Sequence, residues 1–479
     1  MKPHQQIITS ALLALAAVLS TASAQAKTKP VTGAGPIPTV KIAPPPEPVM
    51  DVRKFGAKGD GETDDTEAIQ KAIQACPKGG SVLLRGGKFT SRMLKLKGDM
   101  TLYVAPDATL QGSTDPKGYP EILPYSEAES IGVRWNRRCL LYADRADGLR
   151  IDGGGTINGR GKLLKTMLGG EDKRPSLMRI YRSNNIDVRN VTFRNPRMWT
   201  LVFEQCKKLT IEHVNVFAPH VYRNCDGIDI CDCHDVVVRN CRVESDDDCV
   251  VLKSHSGFGI KNVLIQNNHI KNRGANGIKF GTATVGPIEN IRILDNTVSN
   301  AKFGGLCIES VDGSQVRDVV VRNLVLENTC QPIFITLANR KDWRKTLKNH
   351  PVGAGSLTDV LIEDVLIKST HDQTRHSMTI TGIPGARLGE ITLRNITVEM
   401  PGGINKKLPH PQDRVDGYPQ SNRLGWVPAH SFYVRHADKV VFENITTSCT
   451  KPDARPWLVY DQAEVVTKNC TDKTVKPAE

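Results

Sequence analysis

One short pattern recurs along the middle of the chain and limits the folds open to it. It reads "NIDVRNVTF" from Asn185, "KLTIEHVNV" from Lys208, "DVVVRNCRV" from Asp235, "NVLIQNNHI" from Asn262 and "NIRILDNTV" from Asn290. It continues as "DVVVRNLVL" from Asp318, "DVLIEDVLI" from Asp359, "EITLRNITV" from Glu390 and "KVVFENITT" from Lys439. Successive starts are 23, 27, 27, 28 and 28 residues apart, then 41, 31 and 49. Apolar residues alternate on either side of an Asn-rich elbow, as in two short half-buried strands joined by a turn. Asn suits that elbow because it accepts left-handed backbone angles. A unit of this length, repeated, is a solenoid in which strands stack once per coil. The expected fold is all-β: a right-handed parallel β-helix. A leucine-rich horseshoe would need Leu-x-x-Leu-x-Leu, which the repeats do not show. Aromatic residues at 5% and 40 glycines suit many short strands and turns.

A solenoid needs its open end covered. "DDTEAIQKAIQAC", residues 64–76, predicts a capping helix. Asp64 is placed to cap it, with Glu67 three residues later as in a capping box. Ala68, Ile69, Ala72, Ile73 and Cys76 form its apolar face. Two long interruptions of the repeat, 338–357 and 401–434, are expected to build a binding face.

Residues 1–26 read as a cleavable signal peptide. Lys2 precedes the apolar "IITSALLALAAVLS", and "ASA" and "AQA" end at Ala24 and Ala26. The expectation is a secreted or periplasmic protein without membrane insertion. Proline-rich residues 27–48 read as a loose leader, and 49–479 as a single catalytic domain. The formal charge of +13 points to a polyanionic partner. No nucleic-acid-binding pattern is present and export argues against nucleic acid, which favours an acidic polysaccharide; a solubilising surface charge is the alternative. Most of the 12 cysteines fall in the strand-rich middle and read as small buried hydrophobes; Cys449 and Cys470 are placed for a bridge.

The chemistry concentrates in "NCDGIDI", residues 224–230, and "ESDDDCVVLKS", residues 244–254. Asp226 and Asp247 are 21 residues apart, about one coil, so stacking brings Asp226, Asp247 and Asp248 together. Converging carboxyls raise one another's proton affinity, so one stays an acid while another acts as a base. Glycoside hydrolysis needs that division.

These residues resemble glycoside hydrolase family 28, the polygalacturonase and rhamnogalacturonase family, in a divergent bacterial branch. Asn224-Cys225-Asp226 resembles its Asn-x-Asp motif, and Asp247-Asp248 its Asp-Asp motif. "DVRKFGAKGDGETDD", "IDGGGTINGRG" and "NPRMWTLVF" resemble its early-coil signatures. The resemblance implies a monomeric inverting hydrolase of plant pectin, with no cofactor and no metal. Asp247 would be the general acid, and Asp226 and Asp248 would hold and deprotonate water. Inversion further implies carboxyl groups roughly 6.5–9.5 Å apart. Asp246 stands where the family commonly has Gly and reads as a turn residue.

Two family hallmarks are replaced. Asn276 stands where a Gly-His-Gly motif has His, and Cys307 and Glu309 stand where Arg-Ile-Lys has its basic residues. Replacement contacts to an acidic sugar are expected from Lys253, Lys279 and Arg340, with Asn224, Asn276 and Glu309 as further substrate-binding candidates. Tyr433, Arg435 and His436 are candidates to reach the site from a late coil. Two other readings stay open: a pectate-lyase-like or epimerase enzyme on the same solenoid, with Ca²⁺ on the acidic triplet, and a non-catalytic polysaccharide-binding β-helix.

Overall fold

The structure, a computed structural model, describes residues 30–477 except 127, 135–136, 165–173, 219–222, 341–346, 349–352 and 370–376. The segment read as a signal peptide lies outside the described residues. Among the described residues no helix is long and apolar enough to cross a membrane.

The repeat folds as expected. Every pairing between the named strands is parallel, and each strand pairs with its counterpart one coil away. The register aligns equivalent residues of the repeat. Ile186, Leu209, Val236, Val263, Ile291, Val319, Val360, Ile391 and Val440 form one unbroken column. Each side chain in it is 3% exposed or less. Full burial of one such aliphatic side chain stabilises by about 1.5–3 kcal/mol, so the column is a large part of what favours stacking.

The elbows follow from backbone sterics. Asn190, Asn240, Asn267, Asp295, Asn323, Asp364, Asn395 and Asn444 all have φ between 50° and 56°. Their side chains also bond from coil to coil: Asn267 Nδ2 donates to Asn240 Oδ1 at 2.7 Å, and Asn323 Nδ2 to Asp295 Oδ1 at 2.8 Å. A short side chain that tolerates the left-handed region supplies this external ladder, Asn as donor and acceptor and Asp as acceptor.

The helix Thr66–Ala75 buries Ile69, Ala72 and Ile73 against the first coils, as the cap reading requires. Its start differs from the expected capping box. Asp65 is the N-cap residue, but its carboxylate accepts from the Lys58 and Gly59 N–H groups. Asp64 instead accepts from the Thr66 N–H, and Glu67 pairs with Arg92. The arginine on the neighbouring coil outcompetes the backbone for Glu67.

The segment read as a loose leader is laid along the solenoid. The Thr32 and Gly33 N–H groups donate to Asn323 Oδ1, and the Ala34 N–H donates to Thr297 Oγ1. His269 Nε2 meets the Gly35 carbonyl, and the Tyr103 hydroxyl donates to the Ala43 carbonyl. Side chains on the coils thus satisfy backbone groups of the strap. All 12 cysteines are free thiols, so Cys449 and Cys470 form no bridge. Cys470 Sγ faces the Phe442 carbonyl and Cys449 lies against Gly402.

Asn267 tests the ladder. Asn267→Ala should cost about 2 kcal/mol, because Ala pays about 1–2 kcal/mol in the left-handed region and the hydrogen bond is lost. Asn267→Gly should cost less, since Gly keeps the backbone angle. Urea unfolding of the three proteins measures the order; a Gly variant less stable than the Ala variant would contradict it.

Candidate active site

Stacking register, applied to short strands, builds the site. Leu201–Glu204 pairs with Ile228–Cys231, which pairs with Val250–Ser254, which pairs with Ile278–Thr284. Leu201 faces Ile228, Ile228 faces Val250 and Val250 faces Ile278. Extending that register backwards by two residues stacks Trp199, Asp226, Asp248 and Asn276 in one column. Backbone bonds confirm it: the Thr200 N–H donates to Asp226 O, the Gly227 N–H to Asp248 O, and the Cys249 N–H to Asn276 O. The partner of Asp226 by register is therefore Asp248. Asp247 lies beside them at the bend between two strands.

One oxygen from each of Asp226, Asp247 and Asp248 lies within 4.8 Å of the others. Their column forms part of a cavity of about 140 Å³, walled by Met198, Trp199, Asn224, Lys253, His255, Thr282, Arg340 and Tyr418 among others. The closeness of Asp226 and Asp248 follows from the fold: adjacent strands of a sheet are only about 4.8 Å apart.

Each carboxylate is held differently. Asp226 Oδ2 accepts from Lys253 Nζ at 2.7 Å, while its Oδ1 is buried without a partner. Asp248 accepts from Asn276 Nδ2 at 2.6 Å and pairs with Lys279 Nζ at 3.2 Å. Asp247 accepts from two backbone N–H groups, Asn224 at 3.0 Å and Asp248 at 2.9 Å. Asn224 has φ +61°, the angle that turns its N–H toward Asp247. Lys253 also binds Asp229 and lies 3.8 Å from the centre of the Trp199 ring.

Charge counting explains the protonation. Asp226, Asp229, Asp247, Asp248 and Glu309 crowd around two ammoniums, Lys253 and Lys279. Burial, with the neighbouring charges of Asp229 and Asp248, pushes Asp226 up to about 8 against the pull of Lys253. Burial and the charges of Asp226 and Asp248 push Asp247 up to about 8. Burial raises Glu309 to about 7. The lysines stay charged: burial alone would lower Lys253, but Asp226 and Asp229 raise it, and Asp248 does the same for Lys279. A low-dielectric pocket keeps just enough carboxyls ionised to balance its cations.

The oxygens of Asp226, Asp247 and Asp248 are of the hard type that suits a divalent cation. Lys253, Lys279, Asn276 and backbone N–H groups already engage five of the six. Asp246 lies outside this cluster, in the bend, with the Gly274 backbone packed against its carbonyl. That agrees with its reading as a turn residue.

The sequence candidates for substrate contact separate into two groups. Asn224, Lys253 and Arg340 line the cavity. Asn276, Lys279 and Glu309 are buried behind it, 6%, 2% and 1% exposed. Asn276 and Lys279 bind Asp248 rather than open space, so they position a carboxylate. The Arg340 guanidinium is engaged by Asp312 and the Thr282 carbonyl. Tyr433, Arg435 and His436 miss the cavity and anchor the 401–434 insertion. Tyr433 meets His410 at 3.1 Å, and Arg435 and His436 bind Asp413 at 3.2 and 2.9 Å.

That anchored insertion delivers Tyr418, 58% exposed, to the mouth of the cavity. Thr282 Oγ1 donates to its hydroxyl at 2.7 Å, and Lys279 Nζ lies 5.5 Å from its ring centre. Sequence reasoning missed Trp199, Asp229, His255, Thr282 and Tyr418. Coil register could have found Trp199, one coil from Asp226; no repeat signal marks Tyr418.

Residues 86–413 match the sequence pattern of glycosyl hydrolases family 28. The chain belongs to that family. Residues 49–118 also match the rhamnogalacturonase A/epimerase, pectate lyase-like pattern. A probable polygalacturonase of Vitis vinifera is 26% identical over 385 residues, covering 76% of this chain and 76% of that protein. The exo-poly-alpha-D-galacturonosidase of Dickeya chrysanthemi is 24% identical, over 85% of this chain and 72% of that one. The fold matches the exopolygalacturonase of Thermotoga maritima with a TM-score of 0.64 at 19% identity, over 85% of this chain and 93% of that one. The family 28 member is thus a polygalacturonase-like glycosyl hydrolase on a parallel β-helix.

A raised carboxyl destabilises the folded state as pH rises. Asp226 is protonated in both states below its ordinary value near 4; between about 4 and about 8 only the unfolded chain has released the proton, so stability falls through that window. Asp226→Asn removes this loss. Its melting temperature relative to wild type should climb from pH 5 to pH 8 and then level off. A difference that stays flat with pH would contradict a protonated Asp226.

Proposed function

We propose that this enzyme hydrolyses galacturonide-type linkages of pectic polysaccharide or its oligosaccharides. One observation carries the reading: a cavity in which Asp226 and Asp248 stack one coil apart with Asp247 beside them. The names of its relatives, polygalacturonases and galacturonosidases, support the pectic substrate.

In this reading Asp247 donates its proton to the glycosidic oxygen. Its elevated affinity near 8 keeps that proton at neutral pH. Asp248 takes a proton from the attacking water as Asp247 gives its own to the glycosidic oxygen, and Asp226 helps to hold that water. Asn276 and Lys279 fix Asp248 toward that water, and Lys253 fixes Asp226. Product with inverted anomeric configuration is expected. Export by the N-terminal segment supplies access to plant polymer, and monomeric action is proposed.

Defined pectic oligosaccharides followed by NMR read the bond cleaved and the first-formed anomer. Asp247→Asn should lower kcat by about 10²–10⁴-fold. Wild-type kcat should fall as pH rises through about 8, where the acid loses its proton. Unchanged activity in Asp247→Asn would remove the acid assignment. An unsaturated product absorbing in the ultraviolet would replace hydrolysis by elimination.

A further inference from the structure

The cations that sequence reading offered to an acidic sugar are all committed to protein partners. Lys253 serves Asp226 and Asp229, Lys279 serves Asp248, and Arg340 serves Asp312. The family's other basic positions hold Cys307 and Glu309 here. An acidic ring entering this cavity would meet a surplus of carboxyls.

His255 is the exception on the wall. It lines the cavity and is 1% exposed. Its backbone N–H donates to Asp232, and its Nδ1 lies 3.1 Å from Glu204 Oε1. Nε2 has no protein partner among the described residues. Glu204 is itself fixed: the Ser130 hydroxyl donates to its Oε1 at 2.9 Å. Burial alone would raise the Glu204 carboxyl, but His255, Tyr125 and Arg179 bring it below its ordinary value.

We propose that His255 is a specificity-determining residue whose Nε2–H binds the carboxylate of a uronic acid residue in the cavity, with Glu204 as the positioning residue behind it. This rests on the galacturonide reading above. Glu204 accepts the Nδ1–H, and the Nε2 donor places the ring between two carboxylates, one from the protein and one from the sugar. The groups that face it are Glu204 on the Leu201–Glu204 strand and Asp232 after Ile228–Cys231, with Tyr125 and Arg179 behind Glu204. His255 thus supplies, from a different coil, a carboxylate contact that Asn276, Cys307 and Glu309 do not.

The test compares a galacturonic acid oligomer with its fully methyl-esterified counterpart on wild type, His255→Gln, His255→Ala and Glu204→Gln. His255→Gln should raise KM for the acidic oligomer about tenfold or more, the loss of one charge-assisted hydrogen bond. Its kcat should stay within about threefold, and its KM for the ester should barely move. Glu204→Gln should move KM in the same direction by less. Equal changes on both oligomers, or none on the acidic one, would overturn the proposal. Should His255→Ala fail to fold, His255→Gln keeps the bulk and decides the matter. Should wild type cleave neither oligomer, the galacturonide reading falls, and calorimetric binding of the acidic oligomer to Asp247→Asn with and without His255→Gln decides His255 alone; no binding, or binding unaffected by His255→Gln, overturns it.

Discussion

The hydrogen-bond register between successive coils is the constraint on which the rest depends. Parallel pairing sets residues of equivalent rank over one another, so a property repeated in sequence becomes a column in space. Inside, that gives the Ile186-to-Val440 column. Outside, it gives the Asn ladder. At the wall of the cavity the same rule stacks Trp199, Asp226, Asp248 and Asn276. A slip of one residue between Ile228–Cys231 and Val250–Ser254 would point Asp226 to the other face and dissolve the site.

Charge balance is the second constraint, and it follows from the first. Bringing like charges within the strand spacing is costly in a buried place, so the sequence supplies compensation from neighbouring strands. Lys253 and Lys279 come from Val250–Ser254 and Ile278–Thr284, each placed by register beside the carboxylates it serves. Burial, with the surplus of neighbouring carboxylates, leaves Asp226 and Asp247 holding protons near neutrality. Packing and acid–base function are here one arrangement.

Much of this was legible in the sequence where the signal repeats. The β-helix, its elbows, the covering helix and the meeting of Asp226, Asp247 and Asp248 all follow from period and alternation. What could not be read was non-periodic. Tyr418 arrives on an insertion whose path depends on Asp413 meeting Arg435 and His436, contacts between segments with no shared pattern. The direction of lysine side chains was equally hidden. Lys253 and Lys279 were read as sugar contacts, and their ammonium groups also meet Asp226, Asp229 and Asp248, since sequence shows position along a strand and not which partner the ammonium finds. The leader was misread for the same reason: a proline-rich segment pays little entropy to lie extended, so it docks wherever a coil offers donors and acceptors.

The docked leader has a consequence for biosynthesis. Thr32 binds Asn323, a partner 291 residues later in the chain. Ribosomal synthesis delivers the coils in order, so the beginning of the strap waits, unsatisfied, while most of the solenoid is assembled beside it. A chain halted before Asn323 can stack its early turns yet cannot fasten this end. The fastening therefore records that the later coils have arrived, and it turns a polymer able to grow turn by turn into one whose two halves are secured together.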